Sequence, residues 1–184
     1  MDPTNKLSPL AIALHWLVAA GVLSLAVLGL YMVRREAWPL YDVHKSIGLL
    51  LFAVILLRVG RTWRHGLPMP VRPLSRLEHA GAKAAHGLLL ACTVAMPITG
   101  MIYSGASGHG FGIFGFSLFP EHVDPAKHGD AVPLDGRLSD WGQSAHGAIG
   151  YVLLALIALH VAAALKHHFI DRDRTLLRML GNRR

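Results

Sequence analysis

Apolar residues gather into four long runs, and most charged residues lie in the segments between them. The runs cover about residues 10–33 (LAIALHWLVAAGVLSLAVLGLYMV), 43–63 (VHKSIGLLLFAVILLRVGRTW), 84–104 (AAHGLLLACTVAMPITGMIYS) and 145–168. A hydrocarbon core about 30 Å thick is crossed by roughly 20 apolar residues of helix rising 1.5 Å each. Each run meets or approaches that length, so the pattern predicts an all-α membrane protein, a bundle of four transmembrane helices. The first run is longer than the apolar region of a secretory signal, and only Lys6 supplies a cation before it. It is therefore expected to be retained.

The segments between the runs are punctuated by Gly and Pro. Residues 34–42 (RREAWPLYD) make a short loop, and 64–78 (RHGLPMPVRPLSRLE), with three prolines, is expected to be extended. The longest connection, 105–140, mixes Gly with Phe in GASGHGFGIFGFSLFPEH, which suits a loop folding back onto the membrane surface. Pro97 lies inside the third run and predicts a kink there. No internal repeat and no second domain are visible, so residues 1–184 read as one transmembrane domain.

Charge then changes the picture. The formal net charge of +7 suggests nucleic acid until the cations are placed. Alternating helices put the N-terminus, the 64–83 segment and the C-terminal tail on one side, with thirteen Lys and Arg against four Asp and Glu. The other side has five cations and seven acids. Lys and Arg stay in the cytoplasm, so both termini are expected there and the basic surplus reads as topology, with no nucleic-acid partner. The single cysteine, Cys92, rules out an internal disulfide, a multi-thiolate zinc site and covalent haem attachment through C-x-x-C-H.

The candidate chemistry is histidine. There are twelve, and those in the runs sort by depth into two layers. His15, His86 and His160 lie toward the cytoplasmic end, and His44 and His146 toward the outer end. His146 and His160 stand fourteen residues apart. On a helix this is a rise of about 21 Å and a turn about 40° short of four full revolutions, so both face nearly the same way. Two stacked macrocycles need that arrangement, each iron taking one imidazole from this helix and a second from a facing helix. With one cysteine, the cofactor is read as two non-covalent b-type haems. A lone intramembrane histidine often only hydrogen-bonds a neighbouring helix, but two with equal-depth partners are functional candidates. A single zinc or copper centre fits poorly, because the layers are far apart and lack carboxylates or thiols. Gly48, Gly147, Gly150, Ala162, Ala163 and Ala164 beside these histidines leave room for a flat porphyrin or for close helix packing. Depth alone leaves the partner of His160 open between His15 and His86.

The segments IALHWL, VHKSIG, HGLLLACTVAMPITG and HGAIGYVLLALIALHVAAALKHHFIDRDRTLLRML resemble those of the bacterial cytochrome b561 family, over nearly the whole chain. The resemblance implies a dihaem protein of the bacterial inner membrane, with His15 paired to His160 on one haem and His44 to His146 on the other. It further implies a superoxide oxidase that passes electrons to ubiquinone.

Entry and exit residues follow from that expectation. Lys45 adjoins His44, and Arg34 and Arg35 flank the same mouth, giving local positive charge that would attract superoxide or serve another periplasmic donor. The competing roles are neutralising a haem propionate for Lys45 and marking a helix end for the arginines. His167 lies two turns beyond His160 on nearly the same face and is the candidate donor to a quinone carbonyl, with His168 pointing elsewhere. Trp16, beside His15, either flanks a quinone ring or anchors the interface. His79, His109, His122 and His128 read as loop or interfacial residues. A rival reading is a cytochrome b subunit anchoring a dehydrogenase or hydrogenase, without catalysis of its own. A histidine-relay transporter lacks the broken helices and buried carboxylates it would need. A homo-oligomer is compatible with all of this.

Overall fold

The computed structural model describes residues 7–66, 70–71, 73, 75–127 and 130–181. Lys6, Asp2, Arg72, Arg183 and Arg184, counted above among the charges, and His128 lie outside them. So does much of the segment between residues 66 and 75, where an extended loop was expected.

Four helices are long and apolar enough to cross a membrane. They are α1 (Pro9–Arg35), α2 (Tyr41–His65), α3 (Arg76–Ala106) and α4 (Gly136–Phe169). α3 and α4 begin eight or nine residues before the apolar runs they contain. The extra turns are polar and are started by side-chain caps. Ser75 and Glu78 form a reciprocal capping box, and Asp135 accepts the Leu138 N–H at 3.0 Å. A hydropathy reading ends where the grease ends, whereas a helix ends where its backbone runs out of partners. α3 runs unbroken through Pro97.

α1 packs along α2 and α3 along α4, and the two pairs meet chiefly where α2 touches α3. Val18, Leu51 and Ile55 are buried together, with Val22, Val54 and Val94 around them. Glycine sets two of the close approaches. A Cβ on Gly21 would come within 2.7 Å of the Leu51 side chain, and one on Gly142 within 2.8 Å of the Tyr103 backbone nitrogen. Such small residues are how helices approach closely where lipid removes the hydrophobic drive between them. The outward faces are apolar: Val27, Leu57 and Leu159 are 69%, 65% and 68% exposed, a surface matched to acyl chains.

One end of the bundle carries a small sheet, and the other gathers the two ends of the chain. In the long connection after α3, β1 (Phe111–Ile113) pairs antiparallel with β2 (Phe116–Phe119). Phe114 and Gly115 turn the hairpin with φ of 44° and 88°, the pair of positive φ values a two-residue hairpin needs to follow strand twist. The hairpin is fastened to α2. Phe114 N–H donates to Ser46 Oγ at 2.9 Å, and the Lys45 ammonium lies 3.4 Å from the Gly110 carbonyl. Ser104 of α3 donates to the same carbonyl. At the opposite end, a short helix α5 (Thr175–Met179) folds back so that Trp16 Nε1 of α1 donates to the Met179 carbonyl at 2.8 Å.

Candidate functional site

The intramembrane histidines meet across the seam between the α1–α2 and α3–α4 pairs. At the hairpin end, the ring of His44 on α2 faces that of His146 on α4, centroids 6.3 Å apart and planes at 77°. At the other end, His15 on α1 faces His160 on α4 at 6.2 Å and 60°. Two imidazoles binding one metal from opposite sides need about 2.0–2.1 Å each for the metal–nitrogen bond, plus about 1.1 Å from nitrogen to ring centre. That sums to roughly 6.3 Å, so both separations fit an axial pair.

The surroundings of the hairpin-end pair fit that use. A Cβ on Gly100 would lie 3.2 Å from His146 Cε1, and one on Gly29 3.4 Å from His44 Cε1, so a glycine gives each ring its seat. His146 Nδ1–H donates to the Met96 carbonyl at 2.9 Å, with Thr99 Oγ1 at 3.3 Å. This holds the proton on Nδ1 and leaves the Nε2 lone pair free, as a metal ligand would need. His44 Nδ1 is buried with no hydrogen-bond partner among the described residues, a ring with polar capacity unspent by the protein.

The opposite end is more crowded. His86 on α3 also reaches His160, at 5.4 Å and 85°. Its Nδ1–H donates to the Ala82 carbonyl at 2.7 Å, which leaves its Nε2 lone pair available. His15 is held differently. Arg58 Nη2 of α2 lies 3.2 Å from His15 Nδ1, and a guanidinium only donates. In that contact the His15 proton sits on Nε2, so ligation through Nε2 requires Arg58 to release Nδ1. Sequence spacing carried no trace of this contact between residues forty-three positions apart.

The expected entry and exit residues are placed as follows. Lys45 is an ion pair, its Nζ 2.7 Å from Asp42, and its side chain is only 19% exposed. It lines a cleft of about 200 Å³ under the hairpin, with His109, Phe111, Phe119 and Glu121. Arg34 and Arg35 are exposed in the last turn of α1. His167 sits in the last turn of α4, its Nδ1 2.8 Å from Asp171 and 3.3 Å from Asp173. His168 turns toward Phe169. Trp16 contacts the edge of the His15 ring and is tied to α5. His79 and His122 are exposed, and His109 bonds Ser107 Oγ at 3.1 Å. The carboxylates around His167 were the readable omission, since Asp171 stands at i+4 in HHFIDRD. Among the described residues, no three His, Cys, Asp or Glu side chains converge on one metal-ion position. The chemistry offered is that of imidazoles gathered at two separate places, two at the hairpin end and three at the other.

Comparison with known proteins agrees. A family model described as prokaryotic cytochrome b561 matches residues 6–182. The chain is 34% identical to cytochrome b561 homolog 2 of Escherichia coli (strain K12), over 92% of this chain and 88% of that one. It is 28% identical to cytochrome b561 homolog 1 of the same organism, over 98% and 99%. It is 27% identical to the probable superoxide oxidase CybB of Yersinia pestis, over 98% of each.

Proposed function

The chain belongs to the prokaryotic cytochrome b561 family, as a multi-pass bacterial membrane protein that transfers electrons through b-type haem, and on that footing we propose that it oxidises superoxide and reduces ubiquinone. In this reading it holds two non-covalent haems, one between His44 and His146 and one between His15 and His160. It sits in the inner membrane with the hairpin in the periplasm and both termini in the cytoplasm, as the Lys and Arg bias supports. The observation that carries the reading is the pair of imidazole facings, 6.3 Å and 6.2 Å, both built on α4.

When bound, each haem supplies a one-electron couple. The balance is simple: two superoxide anions each lose an electron and leave as dioxygen, while one ubiquinone gains two electrons and two protons and leaves as ubiquinol. The protein positions and exchanges the rest. Met96 and the glycines at 29 and 100 orient the hairpin-end imidazoles. Lys45 offers a cation beside the mouth, moderated by Asp42. His167 donates to a quinone oxygen at the far end, within reach of the carboxylates that hold it.

The deciding experiment uses the full-length protein purified alone. Its visible spectrum and haem-to-protein ratio should give two haems per chain, all removed by acid–acetone. Mixed with superoxide and ubiquinone-1, it should reduce its haems and turn over. A ratio near one overturns the two-site assignment. No superoxide-driven reduction under any salt condition replaces the oxidase reading with that of a subunit serving a docked dehydrogenase or hydrogenase.

A further inference from the structure

We infer that Asp171 and Asp173 form a proton port for quinone reduction, acting through His167. The inference rests on the reading that a quinone is reduced beside His167, and goes beyond it by assigning where the protons come from.

The chain after α4 curls around one imidazole. Asp173 N–H donates to the His167 carbonyl at 2.9 Å, which brings both carboxylates onto the same ring nitrogen. Two carboxylates converge on Nδ1, at 2.8 Å and 3.3 Å, as close contacts rather than aligned hydrogen bonds. A structural cap needs only one of them. Both are costly to withdraw from water, the Asp171 side chain being 16% and that of Asp173 9% exposed.

Among the described residues, charged and polar groups face both carboxylates. Lys166 binds both oxygens of Asp171, at 3.0 and 2.8 Å. Thr175 N–H donates to Asp173 Oδ1 at 2.8 Å, and the Asp173 charge acts on the Arg178 guanidinium of α5, against the downward push of burial on it. From α1, the bond that ties α5 down is the neutral Trp16 N–H. Each carboxylate therefore has a structural partner on one side and the imidazole on the other.

This arrangement suits proton transfer. With both carboxylates lying on the Nδ1 side of the ring, Nε2 is the nitrogen left to meet a quinone oxygen. In the transferring state the neutral ring carries its proton on Nε2 and a protonated Asp171 or Asp173 faces the bare Nδ1. As the Nε2 proton passes to the quinone oxygen, the carboxyl proton moves to Nδ1 and the carboxylate takes a proton from water. Exchange of the ring proton from Nδ1 back to Nε2 through water readies the ring for the second transfer. Two such transfers accompany the two electrons that turn one ubiquinone into ubiquinol. Asp171 and Asp173 are positioning and relay residues here, and His167 is the one that touches substrate.

The test follows reoxidation of superoxide-reduced, haem-loaded protein by ubiquinone-1 in stopped flow, across pH. We expect D171N/D173N to keep its haem content and its rate of reduction by superoxide, but to reoxidise at least about tenfold more slowly. Its pH profile should flatten, and D171E/D173E should recover most of the rate. A wild-type rate and profile in D171N/D173N, with H167Q slowed, overturns the port and leaves the quinone site standing. Wild-type behaviour in H167Q as well overturns both, because quinone is then reduced elsewhere. Should the double variant lose haem, D171N alone decides by the same criteria, since the Asp173 bond to Thr175 stays intact in it.

Discussion

The two ends of the bundle bring imidazoles together by different means. At the hairpin end, two imidazoles face each other, each beside a glycine, and His146 is oriented by a backbone carbonyl. At the opposite end, His160 has two imidazoles within reach, and the one at axial spacing accepts a hydrogen bond from an arginine. The difference teaches that spacing makes a pair, but the partner of the second ring nitrogen decides which lone pair is free. A carbonyl on Nδ1 prepares Nε2 for a metal; a guanidinium on Nδ1 opposes it.

The sharpest way to break this comparison is to remove the imidazoles. His146→Ala or His44→Ala should halve the haem-to-protein ratio, sparing the other site, and His160→Ala should do the same from the opposite end. Loss of both haems from any single change would mean the ends are not independent.

Next in size is the contest for His160. His15→Ala is expected to empty that site while His86→Ala leaves it filled, read by haem content and by the low-temperature spectrum. The reverse outcome would hand the ligand role to His86, whose Nε2 is already free of its proton. Gly100→Ala probes the opposite end more gently. Its methyl would meet His146 Cε1 at 3.2 Å, so the ring must shift. Overpacking of this kind costs about 1–3 kcal/mol, seen as earlier haem loss from the hairpin-end site on heating, with the other site unchanged.

The smallest expected effect is at Lys45. Asp42 already offsets its charge, so Lys45→Gln should slow superoxide-driven reduction by less than about tenfold, the low edge of electrostatic steering. The residual rate should lose its dependence on salt, since screening acts over about 8–10 Å at physiological ionic strength. An unchanged salt slope would move the entry point away from this cleft.

Much of this was legible in the sequence because membranes impose a simple rule. Leu, Val and Ala in runs of helix length could mean little else, and the fourteen-residue interval alone places His146 and His160 on one face of a helix. What escaped was whatever depends on long-range contact. The hairpin turns on Phe114, a bulky residue at positive φ, where sequence logic looks for Asn or Gly. It is held there by the Ser46 hydroxyl, sixty-eight positions away. The Arg58–His15 contact is of the same kind. Depth alone could not separate His15 from His86, because both stand at the level of His160 and only ring spacing and hydrogen bonds tell them apart.

The order of the helices has a consequence for how the protein is made. Both imidazole facings borrow one member from α4, which leaves the ribosome after α1, α2 and α3. A nascent chain ending before residue 136 presents His15, His44 and His86 with no fourth-helix counterpart, so neither facing exists while synthesis is under way. On the proposed haem assignment, cofactor loading waits for α4 to enter the membrane, and a translation product truncated before residue 136 should emerge colourless.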